Sequence, residues 1–310
     1  MAATNSNSSL PAAFLLLNKI PGITSFRALA PVKRALASGK VGHTGTLDKF
    51  AGGLLVVLTG RALKLSAFFT NCDKHYEALI RLGIETDTLD LEGAVVAEAP
   101  PPSKNALEVA LERFRGPIMQ KPPAFSAIHL DGKRAYELAR NGLPVNMTPR
   151  SVTIHELTLR SYEPPFARIG ILCSSGTYIR ALARDIAVSA GSCAHLAGLT
   201  RTQSGPFRLS DALTLNDWEN SNPDDIRGAL RPIDEAVFAA LSIPVRDVDE
   251  KTAAAMRQGK PADSFIPPPG NIPEQSAIFC GNVFIALIEW RPPVTPNQAN
   301  NTGWRYVFVV

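Results

Sequence analysis

Residues 40–55 read KVGHTGTLDKFAGGLL, and Asp48 within them is the first acidic residue of the chain. Five cations precede it: Lys19, Arg27, Lys33, Arg34 and Lys40. Gly42 and Gly45 permit a tight backbone path, and apolar Leu47 and Phe50 flank the acid. Gly52-Gly53 and the run LLVVL follow, which predicts a buried strand. An aspartate between a tight turn and a buried strand either caps the turn or serves a site. On local sequence alone, turn capping is the first reading. The stretch lacks the G-x-x-x-x-G-K-S/T spacing of a phosphate loop.

Outward from this point, strands and helices alternate without a regular parallel-sheet rhythm. LPAAFLLL (10–17) reads as a buried strand. HYEALIRLG (75–83) alternates, with Tyr76, Ala78, Ile80 and Leu82 on one face and His75, Glu77, Leu79 and Arg81 on the other. ARIGILCSS (167–175) is a further strand. Residues 24–37 predict a helix capped by Thr24 or Ser25, which Pro31 would kink or split. A second helix is predicted at roughly 105–115, and a basic one around Ala135–Asn141 after a turn at Asp131-Gly132. GTYIRALARDIAVSAG (176–191) predicts a helix with Thr177 as cap and Gly191 as stop. Near residue 243 the composition shifts. The Pro-rich IPPPGNIPE (266–274) and the runs SAIFCGNVFIALIEW and WRYVFVV then predict a small β-rich C-terminal domain.

The chain has 310 residues, 45% of them hydrophobic and 19% charged, the balance of a folded protein with one large core or a core and a satellite. The net charge of +4 is mild, but its distribution is uneven. Residues 1–47 carry five positive charges and no negative ones; residues 113–150 carry seven against Asp131 and Glu137. These are either two solvated faces or two sides of a groove for a polyanion. Four scattered cysteines form no C-x-x-C pair, so neither a zinc ribbon nor a redox motif is indicated, and a reducing compartment is expected. LPAAFLLL is too short for a membrane span and lacks a basic leader, so a cytoplasmic protein without membrane contact is expected. MAATNSNSS is a polar tail, and residues 1–12 are expected to be disordered.

Arg180 lies in the first turn of its predicted helix, where the positive end of the macrodipole makes a cation unfavourable by a few tenths to ~1 kcal/mol. A carboxylate from elsewhere would offset that cost; the plainer reading sends the side chain to solvent. The acidic run ETDTLDLEG (85–93) offers Asp87, Asp90 and Glu92, but its glycine is displaced from the calcium-loop pattern and no metal is expected.

The segments GHTGTLDKFAGGLLVVLTGRALKLS, KHYEALIRLGIETDTLDLEG, KPPAFSAIHLDGKRAYELARNG, CSSGTYIRALARDIA and GLTRTQSGPF, in this order behind NKIPGITS, resemble the TruB family of tRNA pseudouridine-55 synthases. The resemblance runs from about residue 14 to 245 and weakly to the end. It implies an α+β pseudouridine synthase fold: a mixed, largely antiparallel sheet flanked by helices. The catalytic domain would span 13–243 with an RNA-gripping insertion at about 120–150, and a small PUA-like RNA-binding domain would span 244–310. It places Asp48 as the catalytic aspartate, Tyr76 as the aromatic that stacks on the target base and serves proton removal from the sugar, and Arg180 as the partner of the aspartate. Tyr178 neighbours the site, Leu199 packs under the base, and His43 helps receive the flipped loop. Asp90 would support the active-site loop. Lys133, Arg134 and Arg140 would belong to the RNA cradle. Two departures stand out: Lys49 replaces a proline and Gly52 a threonine in the family's usual D-P-L-A-T-G, which loosens the loop and sets a cation beside Asp48.

The implied reaction breaks the bond from C1′ to N1, turns the uracil and joins C1′ to C5. No group is added and no electron is transferred, so the resemblance implies no cofactor. The implied substrate is the T-loop of tRNA, gripped by shape and phosphates, with the base taken out of its stack. The enzyme is expected to act as a monomer without an obligatory protein partner. Two other readings stand beside it: a guide-RNA-dependent dyskerin-type synthase, and a tRNA-binding or folding chaperone with little catalysis.

Overall fold

The computed structural model describes residues 10, 12–126, 128–130, 132–269, 274–292 and 303–310. The side chains of Leu130 and Lys133 lie outside that description, as does most of the predicted disordered tail (residues 1–9 and 11). A ten-stranded sheet organises the molecule. Its main path runs through Arg231–Pro232, Ala13–Lys19, Gly52–Thr59, Ala194–Ser204, Lys74–Leu82, Phe166–Cys173, Arg150–Glu163 and Gly116–Gln120. Along that path every pairing is antiparallel except one: Ala194–Ser204 runs parallel to Gly52–Thr59, with Thr200 opposite Gly52 and Arg201 opposite Gly53. The mixed α+β sheet expected from the resemblance is what forms.

The sequence patterns translate directly into burial. All eight residues of Gly52–Thr59 are buried, as a continuous apolar strand covered on both faces must be. Lys74–Leu82 alternates buried and half-buried residue by residue, so the Tyr76 face lies inward. The helix Ile179–Ser189 packs Ile179, Leu182, Ala183 and Ile186 into the same core as Tyr76, Ile80 and Leu199. Its C-terminus is stopped by Gly191 at φ +77°, a left-handed position that favours glycine.

Two local expectations are corrected. Thr177 does not cap the Arg180 helix: its hydroxyl donates to the Ser174 carbonyl, and Tyr178 occupies the cap position without a side-chain bond of its own. The Tyr178 N–H is instead received by Oε1 of buried Gln120 at 2.8 Å, 58 residues away in sequence. The helix predicted over 24–37 is shorter and broken, a 3-10 turn at Arg27–Leu29 followed by an α-helix at Ala30–Ala35 with Pro31 in its first turn. Thr24 receives the Arg27 N–H, whereas Ser25 turns inward and exchanges two hydrogen bonds with the backbone of Leu47.

The C-terminal strands form a separate four-stranded sheet, Val245–Asp247, Glu274–Cys280, Val283–Arg291 and Gly303–Val309. One face packs Met256 of the helix Glu250–Arg257 with Ile278, Ile285, Trp290 and Trp304. The other joins the large sheet: Phe279, Phe284 and Phe308 share one buried cluster with Phe14, Leu54, Phe69, Phe207 and Phe238. Among the described residues, no helix is long and apolar enough to cross a membrane.

Candidate active site

The site lies where the one parallel pair of strands meets the Tyr76 strand. The Asp48 loop enters Gly52–Thr59, Leu199 and Arg201 come from Ala194–Ser204, and Tyr76 comes from the next strand over. Arg180 reaches in from the first turn of its helix, 5% exposed. Its Nε and Nη2 donate to Oδ2 and Oδ1 of Asp48 at 2.9 and 3.2 Å, a bidentate pair. Nη1 donates to the Thr88 carbonyl at 2.7 Å, and Nη2 also to the Phe125 carbonyl at 2.9 Å. Oδ2 of Asp90 lies 3.5 Å from Nη1. The unfavourable helix-end cation thus acquires two carboxylates and two carbonyls. A buried guanidinium so satisfied is stable where a bare one would not be.

Asp48 differs from its partner in exposure. Its side chain is 37% exposed, so the carboxylate is gripped from one side and open on the other. Burial of Leu47, Phe50 and Ala51 around it fixes the loop to the core that contains Tyr76 and Leu199. Asp90 is pinned by the Thr88 hydroxyl at 2.7 Å and the Glu92 N–H at 3.0 Å, and its loop is tied to the sheet by the Leu196 N–H on the Leu89 carbonyl. The loop departure at Lys49 has a partner too: Nζ pairs with Oε1 of Glu92 at 2.7 Å, while the Lys49 carbonyl receives the Gly22 N–H at 2.8 Å. The two loops that hold Arg180 are thereby bridged at the surface, by a pair exposed enough to contribute no more than about 1 kcal/mol.

Tyr76 is almost fully buried, and burial pushes its hydroxyl pKa up, with the Arg201 guanidinium opposing that shift. His43, on the short strand Val41–His43, has its pKa lowered by burial and then by Arg201, and its Nδ1 is buried without a hydrogen-bond partner. It is a neutral ring above pH 7. Tyr178 presents its ring to Arg150, whose guanidinium lies 4.7 Å from the centroid. Arg134 and Arg140 are exposed and flank the Tyr136 ring at 6.0 and 5.7 Å, so these cradle candidates stand together. Lys133 has its backbone in the hairpin with His129–Leu130. The insertion touches the centre through the Phe125 carbonyl.

Sequence reasoning missed the floor of the site. Lys19, Gly53, Arg201 and Tyr76 stand opposite one another in a single row across four adjacent strands. Lys19 is fully buried; its Nζ donates to the carbonyls of Ile20 and Ile23 at 3.0 and 2.7 Å. Burial lowers its pKa to about 8, against the pull of Asp48. Gly53, at φ +101°, is required by contact as well as conformation: a Cβ there would sit 2.4 Å from the Arg201 carbonyl oxygen. A usable signal did exist. In a strand, Leu199 and Arg201 share a face, so a Leu199 under the base carries Arg201 inward with it. Among the described residues, no group of three or more His, Cys, Asp or Glu side chains is placed to hold a metal ion.

Comparison with known proteins agrees with this geometry. Residues 33–179 match the family model described as TruB family pseudouridylate synthase (N terminal domain), and residues 180–238 match tRNA pseudouridylate synthase B C-terminal domain. The chain is 42% identical over 282 residues to tRNA pseudouridine synthase B of Azoarcus sp. (strain BH72), covering 89% of this chain and 90% of that one. It is 42% identical over 252 residues to the protein of the same name from Pseudomonas aeruginosa (strain UCBPP-PA14), covering 80% and 82%. In fold it is similar to the protein in the crystal structure of a Cbf5-Nop10-Gar1 complex, with a TM-score of 0.67 at 24% identity over 95% of this chain and 83% of that one.

Proposed function

Because the chain belongs to the TruB family of tRNA pseudouridine synthases, we propose that it isomerises uridine 55 in the T-loop of tRNA, with Asp48 as the catalytic carboxylate. The observation that carries this reading is the bidentate Asp48–Arg180 pair, with Asp48 still 37% exposed in a loop packed on the core of Tyr76 and Leu199. In the reaction the C1′–N1 bond breaks and its electron pair leaves with N1 of the uracil. The ring turns, C5 bonds to C1′, the proton on C5 passes to a base and N1 takes one up, so that no proton is gained or lost overall. Asp48 serves either by attack on C1′ or by taking a proton from C2′ on a glycal route. Both need an ionised carboxylate, and the Arg180 guanidinium grips it through both oxygens. Tyr76 stacks on the base and Leu199 packs beneath it, so the detached uracil stays in place to be rejoined. His43, neutral and partly open, receives the displaced loop. Tyr178 lines the entrance with Arg150, and Asp90 keeps Arg180 aimed.

Lys133, Arg134 and Arg140 grip the RNA backbone from the 120–150 insertion, and the C-terminal unit from about residue 244 adds a PUA-like RNA-binding surface. The enzyme works in the cytoplasm as a monomer, without a cofactor and without a guide RNA or protein partner. The test mixes purified protein with unmodified tRNA transcript, maps pseudouridine by chemical labelling, and runs Asp48→Asn alongside. The expected result is label at the T-loop uridine with wild type only, and a loss of roughly 10⁴-fold in the variant. No label with either protein despite tight tRNA binding would make the chaperone reading lead. Label that needs an added guide RNA would favour the dyskerin-type reading.

A further inference from the structure

The buried guanidinium of Arg201 has no assigned part in the chemistry, yet it meets three elements of the centre. It is 1% exposed and faces Tyr76 directly across the antiparallel pair. Nε donates to the Leu54 carbonyl at 2.8 Å and Nη2 to the Gly45 carbonyl at 3.0 Å, and the charge opposes the rise of the Tyr76 hydroxyl pKa. Leu54 lies in the strand after Asp48, and Gly45 in the turn before it.

We propose that Arg201 is the positioning residue of this centre: it holds the Tyr76 hydroxyl and the Asp48 loop at a fixed separation, so that the aromatic wall and the carboxylate address the same nucleotide. The proposal rests on the reading of the site given above. Two features support it. First, guanidinium is the one side chain with enough donors in a rigid fork to reach two carbonyls and a phenol at once. Second, its carbonyl partners come from both ends of the Asp48 loop, so the loop cannot shift against the Tyr76 strand without breaking a buried hydrogen bond. A lysine at 201 keeps the charge but cannot span the three acceptors.

The test is a double-mutant cycle of Arg201→Lys and Tyr76→Phe, with single-turnover rate and tRNA affinity measured for each protein. Arg201→Lys is expected to slow the chemical step roughly 10²-fold, as a misplacement on the scale of 1 Å does, with Kd for tRNA within about twofold. In the Tyr76→Phe background the same change should cost several-fold less, because the contact with the phenol is gone while the loop carbonyls remain. An equal loss in both backgrounds, or a fall in affinity matching the fall in rate, overturns the proposal and leaves Arg201 a structural support. Arginine side-chain NMR decides the contact without any Arg201 variant and without activity. A slowly exchanging guanidinium signal should move in Tyr76→Phe and be distinct from the one that moves in Asp48→Asn, which marks Arg180. If no such signal moves, Tyr76 is not held by Arg201. A wild type that makes no pseudouridine would refute the proposed function, and the NMR comparison would still decide this contact.

Discussion

The centre has a roof and a floor, each built around a buried arginine, and the two are held by different means. In the roof, Arg180 meets carboxylates and carbonyls supplied by three loops: Asp48, the Thr88–Asp90 turn and Phe125. In the floor, Arg201 and Lys19 stand in one row of the sheet and donate to strand and turn carbonyls. A charge balanced by a carboxylate that is open to substrate takes part in the reaction. A charge balanced by backbone dipoles in a sheet sets the geometry in which the reaction happens. Damage above should therefore appear in rate, and damage below in stability as well as in rate.

The largest expected effect is in the roof. Arg180→Ala leaves Asp48 and Asp90 without their shared cation, and turnover should fall roughly 10³-fold, the scale of a broken buried pair. Affinity for tRNA should fall far less; equal losses in both would make Arg180 a phosphate contact and erase the distinction. Next comes Gly53→Ala in the floor. The added Cβ meets the Arg201 carbonyl, and the φ of +101° is strained for alanine, so thermal unfolding should show a loss of about 2–4 kcal/mol. A variant as stable as wild type would mean that the row is not rigid.

A third effect is read against pH. The Lys19 amine holds its proton less firmly when folded, with a pKa of about 8 against the ordinary 10.5. Between those values the unfolded chain binds more protons, so this group makes stability rise with pH, by on the order of 2 kcal/mol over the window. Denaturant melts of wild type and Lys19→Met from pH 7 to 10.5 should diverge in that sense; parallel curves would mean that Lys19 is solvated. The smallest effect lies outside both layers. Arg134→Ala with Arg140→Ala should weaken tRNA binding about tenfold and flatten its salt dependence, leaving the chemical step unchanged. An unaltered salt slope would take these two residues out of the RNA contact.

The roof was largely legible in the sequence. The cation at the start of a helix left room for a distant carboxylate, although local sequence alone favoured solvent, and the resemblance of the ordered motifs named Asp48 as that partner. The alternation in residues 75–83 put Tyr76 inward, and the strand does bury it. What stayed hidden depends on pairing across long separations. Nothing local places Lys19, Gly53, Arg201 and Tyr76 in one row, because the row exists only once four strands have found their register. Backbone acceptors are equally silent: the carbonyls of Thr88 and Phe125 that complete the Arg180 site have no signature in residue type. The Thr177 cap failed for the same reason, since buried Gln120 from another strand took the cap's work. Lys49, read as a loosening cation beside Asp48, is instead committed to Glu92.

The phenylalanine cluster beneath the C-terminal sheet has a consequence for anyone who would shorten this protein. Phe279, Phe284 and Phe308 lie in the same core as Phe14 and Leu54, whose strands also carry Lys19 and the glycine row. Deleting the last strands would strip the lid from an oily seam that runs under the catalytic strands. The shortened chain would be a destabilised, aggregation-prone protein rather than the same enzyme with a weaker hold on RNA. The tail end of the chain is thus masonry for the centre, and swapping or trimming it amounts to an active-site mutation made at a distance.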